Sequence, residues 1–187
     1  MVIQKIKNLI LMKKLFLVFF ISISINNFGQ KMISRTGEIK FDATVPNAVD
    51  NVAAVDNSAT SIFDKSNGDF VVQAMVKSFK FKSPLMQEHF NENYMESDKF
   101  PKTTFKGKIL KFDQKSGTYD VEGDLTIHGV TNKIKTKMNV TTSDAKVSVS
   151  GTFNVLLKDY KLSVPALAKK SLSETAKISV KIDLVNK

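Results

Sequence analysis

The chain has 187 residues, 42% of them hydrophobic, with no cysteine; this composition fits one packed domain and argues against low-complexity disorder. Its formal charge is +10, but the lysines are spread along the chain rather than run together, which reads as a solvated outer face and speaks against a nucleic-acid surface. Without cysteine there is neither a disulfide nor a lipid-modified thiol, so the fold must be held by burial alone.

In chain order, Lys13-Lys14 precede a short apolar run, Leu15–Ile25. Basic residues followed by such a run predict a secretory signal peptide over residues 1–29, with Met12 a better start than Met1. The run is short for a membrane span. With a cut after Gly29 the chain loses Lys5, Lys7, Lys13 and Lys14, and the charge falls from +10 to +6. The folded domain is expected over residues 37–187, in a periplasmic or secreted location.

Apolar residues alternate at Ile39, Phe41, Ala43 and Val45, which predicts a half-buried strand over 38–45, closed by Pro46-Asn47. Residues 48–63 are ambiguous; the pattern is read as two short strands, 52–55 and 59–63. Asn67-Gly68 is a hairpin signal, because both residues tolerate positive φ. A long strand over 70–82 follows. Its apolar face changes near Lys77-Ser78, which predicts a bulge or bend there.

Ser83-Pro84 starts a helix over about 84–95: a hydroxyl for the N-cap, then proline in the first turn. Leu85, Met86 and Phe90 form its apolar stripe. Phe100-Pro101 ends the segment, because the residue before proline is pushed out of the helical region. Strands then follow over 103–112, 118–128, about 133–140, 147–153 and 178–184, with a longer connection around Pro165. Each has one apolar face and can pair antiparallel with its neighbours. About eight such strands make a sandwich or a closed barrel, and closure removes exposed edges. A barrel of eight strands has an interior that side chains just fill, or that holds one small ligand.

Catalytic chemistry is sparse. The two histidines are His89 and His128. His89 and Glu92 share a helix face, but two ligands are too few for a metal site. Glu88, Glu92 and Glu96 also share a face, where solvated charges are commoner than acid–base pairs. No nucleophile–histidine pattern and no glycine-rich phosphate loop is present. The chain is read as a non-enzyme without cofactor or metal.

Two stretches resemble a known family. Met86-Gln-Glu-His-Phe-Asn-Glu-Asn-Tyr-Met-Glu-Ser-Asp-Lys-Phe-Pro-Lys-Thr-Thr-Phe105-Lys-Gly-Lys-Ile109 looks like the central signature of the YceI-like family. Gly123-Asp-Leu-Thr-Ile-His-Gly-Val-Thr131 looks like its second. Residues 46–66 depart from the family's usual opening pattern. The resemblance implies an all-β, eight-stranded antiparallel lipocalin-like barrel with the short helix capping or sealing it. It implies binding of an isoprenoid or other amphipathic lipid without catalysis, and a homodimer is an expectation because members are often dimers. The lysines allow loose contact with anionic lipid head groups. The pocket residues carried over by position are Phe79, Phe81, Met86, Phe90, Phe105, Ile109, Leu125, Ile127 and Phe153. The other reading is a filled core, with the barrel serving as a protein-interaction module.

Overall fold

The computed structural model describes residues 31–187; the expected signal peptide and its Met12 start lie outside the described residues. The strands are β1 (Lys31–Thr44), β2 (Ala53–Asp64), β3 (Asp69–Met75), β4 (Lys80–Phe81), β5 (Lys102–Ile109), β6 (Gly117–Ile127), β7 (Val130–Thr142), β8 (Lys146–Leu156) and β9 (Leu172–Asn186). They pair antiparallel in the order β1-β9-β8-β7-β6-β5-β3-β2, and β1 also pairs with β2, so eight strands close into a barrel. The two-residue β4 is an addition on β2.

The first two strands differ from the reading of the sequence. β1 is longer than 38–45, and β2 is one continuous strand instead of two short ones. Both carry irregularities: the β1–β2 register shifts between Ser34 and Gly37 and again between Gly37 and Ile39. In β1 the buried positions pass from Met32 and Ser34 to Gly37 and Ala43, and in β2 from Ala54 and Asp56 to Ala59, Ser61 and Phe63. An inserted residue flips the alternation from one face to the other, so a single strand reads as two.

The long strand expected over 70–82 ends at Met75. A 3-10 turn, Val76–Ser78, breaks it where the change of face predicted a bend. Val76 and Phe79 are both buried across this turn. The predicted helix is α1 (Pro84–His89), with Pro84 in its first turn and Ser83 Oγ accepting from the Met86 N–H at 3.4 Å. The expected stretch to residue 95 is not uniform α-helix. From Phe90 to Tyr94 the winding widens to a π turn, closed by Met95 N–H donating to Phe90 C=O at 2.9 Å. That extra residue per turn aims Met95 inward, where it is buried. Leu85 does not join the stripe; it is exposed.

β6 and β7 are joined by His128-Gly129, with φ of 50° and 72° and Ile127 opposite Val130. Two consecutive left-handed residues match the twist of a tight hairpin, so glycine is the natural second residue. Inside the barrel, Gly107 of β5 faces Gly123 of β6; a Cβ on Gly123 would lie 2.4 Å from the Gly107 Cα and 2.5 Å from the Lys106 carbonyl oxygen. The pair lets the two strands bend sharply with no side chains between them. Outside, β6 and β7 carry a cross-strand ladder: Asp120–Lys137 at 2.7 Å, Glu122–Lys135 at 2.9 Å and Asp124–Lys133 at 3.2 Å.

Candidate functional site

The interior divides along the barrel axis. One end is packed solid. Met32, Phe63, Ile109, Val147, Val149, Ile182 and Leu184 are at most 1% exposed there, with Phe63 edge-on to Phe70 at 5.9 Å and to Phe112 at 5.2 Å. The other end is roofed rather than filled. Val76, Phe79, Phe90 and Met95 cover it from one side. Leu157 and Tyr160, from a 3-10 turn Leu157–Tyr160, and Leu162 cover it from the other.

Between plug and roof lies a cavity of about 120 Å³. Its wall is apolar almost throughout. Among the 25 described lining residues the only polar side chains are Thr103, Thr104, Thr136 and Tyr160. Thr103 already donates to the Thr126 carbonyl at 2.7 Å. Burial pushes the Tyr160 phenol up, so it stays neutral. Among the described residues no other ionisable side chain lines the space. Such a wall offers a ligand dispersion contacts and removal of apolar surface from water, and no charge or nucleophile.

Of the residues expected in a pocket, Phe79, Phe90, Phe105, Leu125, Ile127 and Phe153 line the cavity. Phe81, Met86 and Ile109 lie outside its lining. Ile109 faces inward but belongs to the solid end, 1% exposed. Phe81 stands behind Phe90, the two rings 4.9 Å apart. Met86 packs on the outer side of the roof cluster. Alternation gives the face of a strand; it does not give the height along the barrel.

Several lining residues were not expected. Ile178 and Val180 of β9 and Ile39 and Phe41 of β1 were visible as alternating faces. Leu157, Tyr160 and Leu162 lie in a connection interrupted by Lys158, Asp159 and Lys161, where no periodicity marks the inward residues.

The histidines do separate things. His89 Nδ1 lies 2.8 Å from Asn93 Nδ2 on the outside of the helical segment. His128 is a tie at the roof. Its Nε2 is 3.1 Å from Glu96 Oε2, its Nδ1 is 3.3 Å from the Tyr160 carbonyl oxygen, and its ring meets Phe100 edge-on at 4.6 Å. Hydrogen bonds from Lys99 first and His128 second hold the Glu96 carboxyl below its ordinary value. Among the described residues no group of three or more His, Cys, Asp or Glu is placed to hold a metal ion.

The family model for the YceI-like domain matches residues 34–184, most of the chain. The chain belongs to the YceI-like family. Its barrel resembles solved members in fold. A polyisoprenoid-binding domain from Saccharophagus degradans, implicated in plant cell wall breakdown, superposes with a TM-score of 0.71 at 13% identity, covering 85% of this chain and 99% of that one. BcnA of Burkholderia cenocepacia gives 0.65 at 15% identity, covering 79% and 95%. The YceI protein of Campylobacter jejuni gives 0.61 at 19%, covering 74% and 86%. No curated protein matches the chain. In this YceI-like barrel the central signature supplies the helical roof and β5, while the second supplies the end of β6 from Gly123, the His128-Gly129 hairpin and the start of β7.

Proposed function

We propose that this YceI-like barrel is a non-catalytic carrier that holds the hydrocarbon tail of an isoprenoid or another amphipathic lipid in its lumen. The observation that carries the reading is the cavity wall, apolar but for three threonines and Tyr160, with Tyr160 the one ionisable side chain among the described lining residues. Each methylene taken from water into such a site gains about 0.8 kcal/mol. The polyisoprenoid-binding name of the Saccharophagus degradans domain supports the same ligand class. The 120 Å³ of free space is below the ~300–1,000 Å³ of sites for drug-sized molecules, so a whole isoprenoid alcohol enters only as the phenylalanines shift. The residues proposed to touch it are Phe79, Phe90, Phe105, Leu125, Ile127 and Phe153.

The basic and apolar N-terminal run supports a periplasmic or secreted location, and the lysine-rich exterior supports loose contact with anionic membrane surfaces. Homodimer formation rests on family habit alone. Organic extraction of protein purified from its native host, followed by mass spectrometry, tests the carrier reading. A lipid in near-stoichiometric amount is expected, and a clean extract contradicts it. The packed end of the barrel favours a second reading, a filled interaction module; that reading predicts the clean extract together with a protein partner in pull-downs.

A further inference from the structure

The barrel is closed unevenly. β7 is fully paired to β6 from Val130 to Val140, and β8 is fully paired to β9 from Lys146 to Leu156. Towards each other, β7 and β8 share only four register pairs, from Asn139↔Ser150 to Thr142↔Val147. Beyond that point no ladder pair joins them. At Gly151 the strands still lie side by side, since a Cβ there would be 2.2 Å from Met138 Sδ and 3.0 Å from the Lys137 carbonyl oxygen; the unladdered stretch begins past it. Higher up, the turn after β8 is tied back to the hairpin: Asn132 Nδ2 donates to the Asp159 carbonyl at 2.7 Å, and His128 Nδ1 lies 3.3 Å from the Tyr160 carbonyl oxygen. A window is thus bounded below by ladder pairing and above by these ties, with Lys133–Lys137 on one side and Thr152–Leu156 on the other. At about 3.3 Å per residue it is roughly 16 Å tall.

Both lips of the window line the cavity, Ile134 and Thr136 from β7, Phe153 and Val155 from β8. Among the described residues the two barrel ends offer no comparable path, since one is packed solid and the other is roofed by buried and partly buried side chains. The unladdered strand edges also leave alternate backbone N–H and C=O groups free to bond a polar head group, while a tail extends into the lumen. Resting on the carrier reading, we infer that the lipid enters and leaves sideways, through the β7–β8 window, with the Asn132–Asp159 tie limiting how far the lips part.

The absence of native cysteine makes a staple clean. Continuing the register from Asn139↔Ser150 places Lys137 opposite Thr152; both are exposed and neither lines the cavity. A Lys137→Cys, Thr152→Cys protein bridged by a short bismaleimide is compared with a Lys77→Cys, Asp98→Cys protein bridged across the roof, whose native side chains meet at 2.6 Å. The ligand is all-trans-retinol, a fluorescent isoprenoid alcohol, followed by stopped flow. The window staple is expected to slow uptake and release together by about tenfold or more, leaving affinity nearly unchanged; the roof staple is expected to leave the rates alone. Asn132→Ala, which needs no staple, is expected to exchange retinol faster. Unchanged rates in the window-stapled protein with affinity retained, slowing by the roof staple instead, or no acceleration in Asn132→Ala would overturn the sideways route alone. Failure of the unmodified protein to bind retinol would overturn the carrier reading and this inference with it.

Discussion

Single residues decide how much room the barrel has. Gly123 and Gly107 leave the inner face of β5 and β6 bare at their crossing, and the nearest obstacles to a Cβ on Gly123 are backbone atoms that cannot step aside. Gly123→Ala is therefore expected to cost about 3 kcal/mol, at the upper end of overpacking penalties. Gly117→Ala, whose Cβ would first meet the Tyr119 ring at 3.6 Å, is expected to stay within about 0.5 kcal/mol of the parent. Urea melts of the two variants check the contrast. Leu125 is the complementary case. It is 8% exposed and borders the cavity, so Leu125→Trp fills free space with ring. The variant is expected to fold, at a cost of about 1–3 kcal/mol, yet to lose retinol affinity by about tenfold or more, since the transfer of even two methylenes is worth that factor. A fluorescence titration alongside circular dichroism separates lost binding from lost fold.

Elements were legible in the sequence where alternation runs unbroken. β6 shows this plainly: Tyr119, Val121, Leu125 and Ile127 face in, Asp120, Glu122 and Asp124 face out, and the outward carboxylates meet the lysines of β7 pair by pair. β1 and β2 were not, because their bulges move the buried set from even to odd positions within one strand. The helix start was readable from Ser83-Pro84, but its later π turn was not, since nothing in Phe90-Asn-Glu-Asn-Tyr94 distinguishes a five-residue closure from a four-residue one. The Ser83 cap is long at 3.4 Å and exposed, so Ser83→Ala is expected to cost only about 0.5 kcal/mol, and its effect should appear as faster amide exchange at Met86 and Gln87 rather than as a change in the barrel. The pocket was legible as a set of faces. It was not legible as a height: Ile109 and Phe105 share a face of β5, yet one belongs to the plug and the other to the lumen.

For the molecule as a whole, charge sets the pH response and shape sets the function. Asp64, Glu96, Asp113, Asp120, Glu174 and Asp183 are all held below their ordinary values, chiefly by side-chain hydrogen bonds from Ser66, Lys99, Tyr119, Lys137, Lys169 and Lys146 respectively. A carboxylate with a depressed folded-state value stabilises the fold above its unfolded value, and that contribution disappears as pH falls through the folded one. The stability of this barrel is therefore expected to be level near neutrality and to decline below about pH 4. The decline should be shallow because the groups are solvated; thermal melts across pH 2–7 measure it, and a rise in stability on acidification would contradict the charge pairing. Shape makes the larger claim. A closed sheet with one packed end, one roofed end and an uncharged gap between them leaves space that its own side chains do not use. A crystal structure of the protein grown with a long-chain isoprenoid alcohol tests this most directly. The account predicts continuous density for the chain inside the lumen, against Leu125, Phe105 and Phe153. An unchanged, empty lumen, with the alcohol absent or lying on the outer surface, would contradict it.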